Sequence, residues 1–115
     1  MHRDIKCANI LINATGQCKL ADFNVSKVVQ AQEGFLRTQT GTPYYASPEV
    51  WKDQPYDFKS DIWSLGCVIY EMAALIPPFK AKNMNTLFQK VVKAEYNPLP
   101  QRYSSELKEL VNLML

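Results

Sequence analysis

The eight residues from His2 to Asn9 hold an unusual density of chemistry. His2-Arg3-Asp4-Ile5-Lys6-Cys7-Ala8-Asn9 sets a carboxylate beside two cations and ends on an amide. A carboxylate that receives or orients a hydroxyl proton, with a cation and an amide nearby, is what phosphoryl transfer asks of a protein. That reaction needs positioning and charge neutralisation more than covalent participation. Asp22-Phe23 follows and supplies a second carboxylate. If the chain between folds back on itself, Asp22 comes near Asn9, and the two make a pair of hard oxygen donors suited to Mg²⁺. The proposition to be tested is that Asp4, Asn9 and Asp22 converge.

The elements that would position these groups can be read from local pattern. Residues 10–12 (Ile-Leu-Ile) and 18–20 (Cys-Lys-Leu) are short apolar runs around Asn13-Ala14-Thr15-Gly16, which predicts a hairpin. From Asn24 to about Thr40 the chain is polar and without period, as a surface loop would be. The strongest helical pattern runs from Ser60 to Ile76, with Ser60 as cap and Asp61 in the first turn. One face carries Ile62, Leu65, Ile69, Met72, Ala73 and Ile76, and the other Trp63, Cys67, Tyr70 and Ala74. A helix apolar all round is expected to be buried all round. Further helices are expected from Asn85 to Ala94 and from Ser104 or Ser105 onward, the latter with Leu107, Leu110, Val111, Met114 and Leu115 on one stripe. The expected fold class is mainly α with a small β-hairpin.

Composition narrows the field. With 115 residues there is room for one domain or part of one, and 47% apolar content argues against wholesale disorder. Thirteen basic and 11 acidic residues give a formal charge of +2, with no basic run, so nucleic acid is not an expected partner. The apolar stretch from Cys67 to Ile76 is interrupted by Glu71 and closed by Pro77-Pro78, so no membrane span is expected. Cys7, Cys18 and Cys67 are widely spaced, with no metal-ligand pattern, and read as buried, reduced thiols.

Taken in order, H-R-D-x-K-x-x-N, D-F, Gly41-Thr42-Pro43-Tyr44-Tyr45-Ala46-Ser47-Pro48-Glu49 and Asp61-x-Trp63-Ser64-Leu65-Gly66 resemble the C-lobe of a eukaryotic protein kinase over all 115 residues. The Gly41–Glu49 stretch, with Asn97-Pro98-Leu99-Pro100 and Tyr103-Ser104, most resembles the NIMA-related kinases. The resemblance implies a serine/threonine kinase using ATP and Mg²⁺ on a protein substrate. It makes Asp4 the catalytic base, Lys6 the cation on the transferred phosphoryl group, and Asn9 and Asp22 the metal ligands. Thr42 would bond to Asp4 and Lys6 and place the acceptor hydroxyl. Leu11 would pack beneath adenine. His2 and Phe23 would form the lower part of an apolar spine, and Asp61 would anchor the catalytic-loop backbone. Lys6 points to Ser/Thr acceptors, since tyrosine kinases usually differ there. Arg3 and Lys27 would receive an activating phosphate on Thr38, with Thr40 the second choice. Cytoplasm is the expected location, with nucleus or cytoskeleton as alternatives.

Two departures qualify the resemblance. The family's D-F-G reads Asp22-Phe23-Asn24, where glycine serves a flexible backbone that can adopt positive φ and asparagine is the next most tolerant residue. Glu49 should lack the arginine it normally pairs with. The sequence also shows no Gly-rich loop, no β3 lysine and no αC glutamate, so the N-lobe that the nucleotide needs in cis is expected to be missing and the extreme end of the domain cut off. On that reading residues 1–115 are a partial kinase domain, inactive alone and with apolar surface left uncovered. The competing readings are a non-catalytic kinase-like binding module and a truncated gene product.

Overall fold

The structure is a computed structural model, described here for residues 1–24, 26 and 43–115. A 3₁₀ turn at Cys7–Asn9 leads into strand β1 (Ile10–Ile12), which pairs antiparallel with β2 (Cys18–Leu20). Four helices follow: α1 (Pro48–Trp51), α2 (Phe58–Ala74), α3 (Met84–Val92) and α4 (Ser105–Met114). This is the expected class, mainly helical with one hairpin.

The hairpin is set by its turn. Asn13 Oδ1 accepts from Thr15 N at 3.0 Å, Thr15 Oγ1 at 2.8 Å and Gln17 N at 2.8 Å, so one side chain organises the whole reversal. Gly16 takes φ 80°, which a residue with a Cβ reaches only at a cost. The resulting register pairs Ile10 with Leu20 and Ile12 with Cys18. It therefore brings Asn9 opposite Ala21, whose N–H donates to Asn9 O at 2.9 Å.

Helix α2 begins two residues earlier than its pattern suggests. Asp57 is the cap, its Oδ1 accepting from Lys59 N at 2.7 Å, while Ser60 is buried and turned to another use. The helix stops at Ala74, where Leu75 takes a left-handed φ of 63°. The expectation of burial all round is corrected. Trp63, Cys67, Tyr70 and Ala73 are buried, but Ile62 is 41% and Met72 51% exposed. Of the first face only part is covered, since Ala73 is buried while Ile62 and Met72 are open. On the other, Trp63 stacks on Phe79 (centroids 5.4 Å apart), and Tyr96 meets Phe79 and Tyr70 edge-on at 5.6 Å each. Leu87 and Val91 of α3 complete one core, and Leu99 and Val111 a second.

Helices α3 and α4 are capped by Asn83 and Ser104 through Thr86 N (2.8 Å) and Leu107 N (3.3 Å). The cap puts the start of α3 one residue before the expected Asn85, at Met84. Helix α1, too short to carry a period, has no counterpart in the sequence reading; its Trp51 meets Phe88 of α3 at 6.0 Å. No helix among the described residues is long and apolar enough to cross a membrane.

The cysteines also depart from expectation, since only Cys67 is fully buried; Cys18 is exposed on β2 and Cys7 is intermediate. Burial pushes the Cys67 thiol far up, and burial is likewise the main cause that raises Cys7.

Two outcomes follow from this packing. A Cβ on Gly66 would lie 2.8 Å from Met114 Cβ and 3.1 Å from Leu115 Cδ2. Helix propensity alone favours alanine over glycine by about 1 kcal/mol. Gly66→Ala should nevertheless destabilise, by about 1–3 kcal/mol, because α4 must move; a denaturation midpoint at or above that of the parent chain would contradict the close approach. Thiol labelling at pH 7.5 should modify Cys18 first. Cys7 should lag, because a raised pKa leaves less thiolate at that pH, and Cys67 should react only on unfolding. Mass spectrometry of timed iodoacetamide samples reads the order.

Candidate active site

The loop from His2 to Asn9 is held from below by one carboxylate. Asp61, in the first turn of α2, accepts from His2 N at 2.7 Å through Oδ2 and from Arg3 N at 2.8 Å through Oδ1. Arg3 sits at φ 70°, a left-handed conformation that costs a branched or long residue about 1–2 kcal/mol. Hydrogen bonds to a charged acceptor each contribute about 1.5–3 kcal/mol. The carboxylate therefore outweighs the strain, and the sharp bend persists. The anchoring role expected of Asp61 matches this geometry.

His2 organises the other side. Its ring is buried, Nδ1 lies 3.3 Å from Asp4 N, and Nε2 lies 3.0 Å from Ala21 O. The tautomer that satisfies both has Nδ1 accepting and Nε2 donating. His2 also meets the Phe23 ring edge-on, centroids 4.8 Å apart, so the pairing anticipated between these residues is present. Ser26 adds two ties, its N–H to Phe23 O at 3.0 Å and its hydroxyl to His2 O at 3.4 Å. The stretch around Asp22 is thus hung from the His2–Asn9 loop.

Asp4 is half-buried, and its Oδ2 takes Lys6 Nζ at 2.8 Å and Asn9 Nδ2 at 3.1 Å. Asn9 Nδ2 also donates to Asp4 O at 2.8 Å. With Oδ2 engaged twice, Oδ1 is the oxygen placed to receive a proton. The Lys6 pair is too solvated to matter much for stability, about 0–1 kcal/mol, and its value lies in orientation. Asn9 is only 7% exposed and spends its amide N–H on Asp4, which leaves carbonyl Oδ1 as a donor to a cation. The hairpin register sets Asp22 one residue beyond Ala21, the backbone partner of Asn9. One carboxylate and one amide oxygen fit Mg²⁺, which keeps several waters and takes few protein ligands when phosphates supply the rest. Among the described residues there is no cluster of three or more His, Cys, Asp or Glu side chains that could hold a metal without them.

The positive φ anticipated near the end of Asp22-Phe23-Asn24 falls on a different residue. Asp22 takes φ 65°, and Asn24 is not among the positive-φ residues described. Asn24 instead uses its side chain, donating from Nδ2 to Asp22 Oδ1 at 2.7 Å. Leu11 lies on β1 and is 55% exposed, so a face is open where a ring could pack. Thr42, Lys27, Thr38 and Thr40 lie outside the described residues.

Sequence reading missed two polar links. Glu49, expected to be without its usual partner, accepts a short hydrogen bond from Ser60 Oγ, which in turn accepts from buried Ser47 at 2.9 Å. The Tyr45 hydroxyl donates to Glu71 Oε2 at 2.7 Å, while Ser64 Oγ donates to Tyr45 O at 2.8 Å. Burial and then the Glu71 carboxylate hold the Tyr45 phenol far above its ordinary range, so it stays a donor. The only signal for either link was a polar residue at a core-facing helix position, Ser60 and Glu71 in α2.

The family model described as protein kinase domain matches residues 1–115. Mouse serine/threonine-protein kinase Nek3 is 44% identical over 115 residues, covering all of this chain and 22% of Nek3. Human serine/threonine-protein kinase Nek2 is 43% identical over 115 residues, again the whole chain and 26% of that protein. The G2-specific protein kinase nim-1 of Neurospora crassa is 48% identical over 107 residues, 93% of this chain and 12% of nim-1. The chain thus spans about a quarter or less of the length of these relatives. With the family matched from first residue to last and Nek and nim-1 kinases among its relatives, the chain belongs to the protein kinase domain family and resembles its NIMA-related members.

Proposed function

We propose that residues 1–115 are C-lobe sequence of a protein serine/threonine kinase, supplying the catalytic loop and metal-binding residues for transfer of the ATP γ-phosphoryl group to Ser or Thr hydroxyls. The observation that carries this is the pair of bonds from Lys6 and Asn9 to Asp4 Oδ2 within a loop anchored by Asp61. In this reading Asp4 Oδ1 orients the acceptor hydroxyl and takes up its proton. Lys6 stands close enough to Asp4 to neutralise charge on the transferred group. Asn9 Oδ1 and the Asp22 carboxylate would hold magnesium, which when bound would offset the charge of the nucleotide phosphates. Leu11 offers an apolar floor to adenine, and Thr42 places the acceptor. The nucleotide's upper contacts come from an N-lobe in cis, and the substrate is a protein; neither nucleic acid nor membrane has a role. The cytoplasm is the proposed location.

Control by phosphorylation belongs to the same reading. A phosphate on Thr38 would bring a charge of about −2 and pair with Arg3 and Lys27.

In the full-length parent protein, Asp4→Asn should lower kcat by about 10²–10⁴-fold, with the KM for ATP little changed. The isolated 115-residue chain should show no turnover above an Asp4→Asn control. Full activity in the full-length variant would overturn the assignment of Asp4. Thr38→Ala in the full-length enzyme should lower activity, and preincubation with a phosphatase should lower the parent protein to the same level. An unchanged rate in both arms would eliminate Thr38 as the switch.

A further inference from the structure

Asn24 stands where glycine is usual in this motif, and the backbone does not account for it. Its φ is not positive, so tolerance of a left-handed conformation is not what asparagine supplies. The strained position is Asp22, at φ 65°, a conformation that Asp itself adopts more readily than most residues. The main chain around it is pinned by other contacts: Ala21 N to Asn9 O, Ala21 O to His2 Nε2, Ser26 N to Phe23 O, and the Phe23 ring on His2. None of these uses the Asn24 side chain. What that side chain does is donate to Asp22 Oδ1 at 2.7 Å, on the short side for an N–H···O bond and charge-assisted.

We propose that Asn24 is a positioning residue for the metal ligand Asp22, engaging Oδ1 so that Oδ2 is presented to the cation in one orientation. The inference rests on the reading of Asp22 as a magnesium ligand given above. Both residues are exposed, so without this bond the carboxylate would sample its rotamers freely and lose that freedom on binding. Glycine, with no side chain, leaves the carboxylate unheld. A second carboxylate at position 24 would set like charges side by side. The amide is the group that restrains Asp22 without adding charge.

The test uses the full-length protein with a non-hydrolysable ATP analogue and Mn²⁺ as the probe, free Mn²⁺ being read by electron paramagnetic resonance. Asn24→Gly and Asn24→Ala should each raise the apparent metal dissociation constant by about three- to tenfold, the range for a hydrogen bond of ordinary net strength, since both residues are exposed to water. Asn24→Asp should not restore it. In parallel kinetics the deficit should appear in the metal concentration giving half-maximal rate and shrink as metal saturates. Thermal midpoints of the variants report that exposed position 24 does not unfold the protein. Metal constants unchanged in both Gly and Ala variants, while Asp22→Asn abolishes the binding, would overturn the role of Asn24 and leave Asp22 standing. Metal binding indifferent to Asp22→Asn would overturn both.

Discussion

The Asp61 carboxylate, receiving the backbone N–H groups of His2 and Arg3, is the constraint on which the rest of this structure depends. It joins two distant parts of the described chain, the loop bearing Asp4, Lys6 and Asn9 and the helix around which the core packs. A charged acceptor placed 58 and 59 residues away in sequence can bend the loop because two charge-assisted bonds exceed the cost of a left-handed arginine. Once the bend is made, His2 turns into the interior and its ring can reach both Asp4 N and Ala21 O. The carboxylate that carries the proposed chemistry and the hairpin that carries the proposed metal ligand are thereby referred to one ring.

Helix α2 serves this arrangement as a platform with unlike sides. Towards Phe79, Tyr96, Leu87 and α4 it presents Trp63, Gly66, Cys67 and Tyr70, and the approach at Gly66 is close enough that a methyl group has no room. Polar side chains on the same helix take up the incoming segment 43–51. Ser60 bonds Glu49, Ser64 bonds the Tyr45 carbonyl, and Glu71 accepts the Tyr45 hydroxyl. The helix thus fixes the His2–Asn9 loop through Asp61 and the segment 43–51 through Ser60, Ser64 and Glu71. Displacement of α2 would reach both at once.

The end of the hairpin shows how a local substitution can be absorbed by side-chain chemistry. Backbone strain there is concentrated at Asp22, and the neighbouring asparagine answers with a hydrogen bond instead of an unusual φ. A motif read letter by letter assigns the special conformation to the wrong position, because the letters record residue type and the strain depends on how 21–26 hangs from His2.

Much of this was legible from residue type and spacing. Local rules placed the hairpin, since Asn13 and Gly16 specify a turn whatever surrounds them, and helical period found α2, α3 and α4 to within one or two residues. The motif series around Asp4, Asn9 and Asp22 announced its family, and Asp61 was anticipated as a scaffold carboxylate. Only tertiary structure decided that Asp57 and not Ser60 caps α2, which of its apolar residues are covered, that Glu49 finds Ser60, and that Tyr45 reaches Glu71. The reason is the range of the interactions. Turns and periodicity are settled by neighbours a few residues apart, whereas a cap competing with a buried serine, or a phenol finding a carboxylate 26 residues on, depends on which surfaces the packed helices bring within hydrogen-bonding reach.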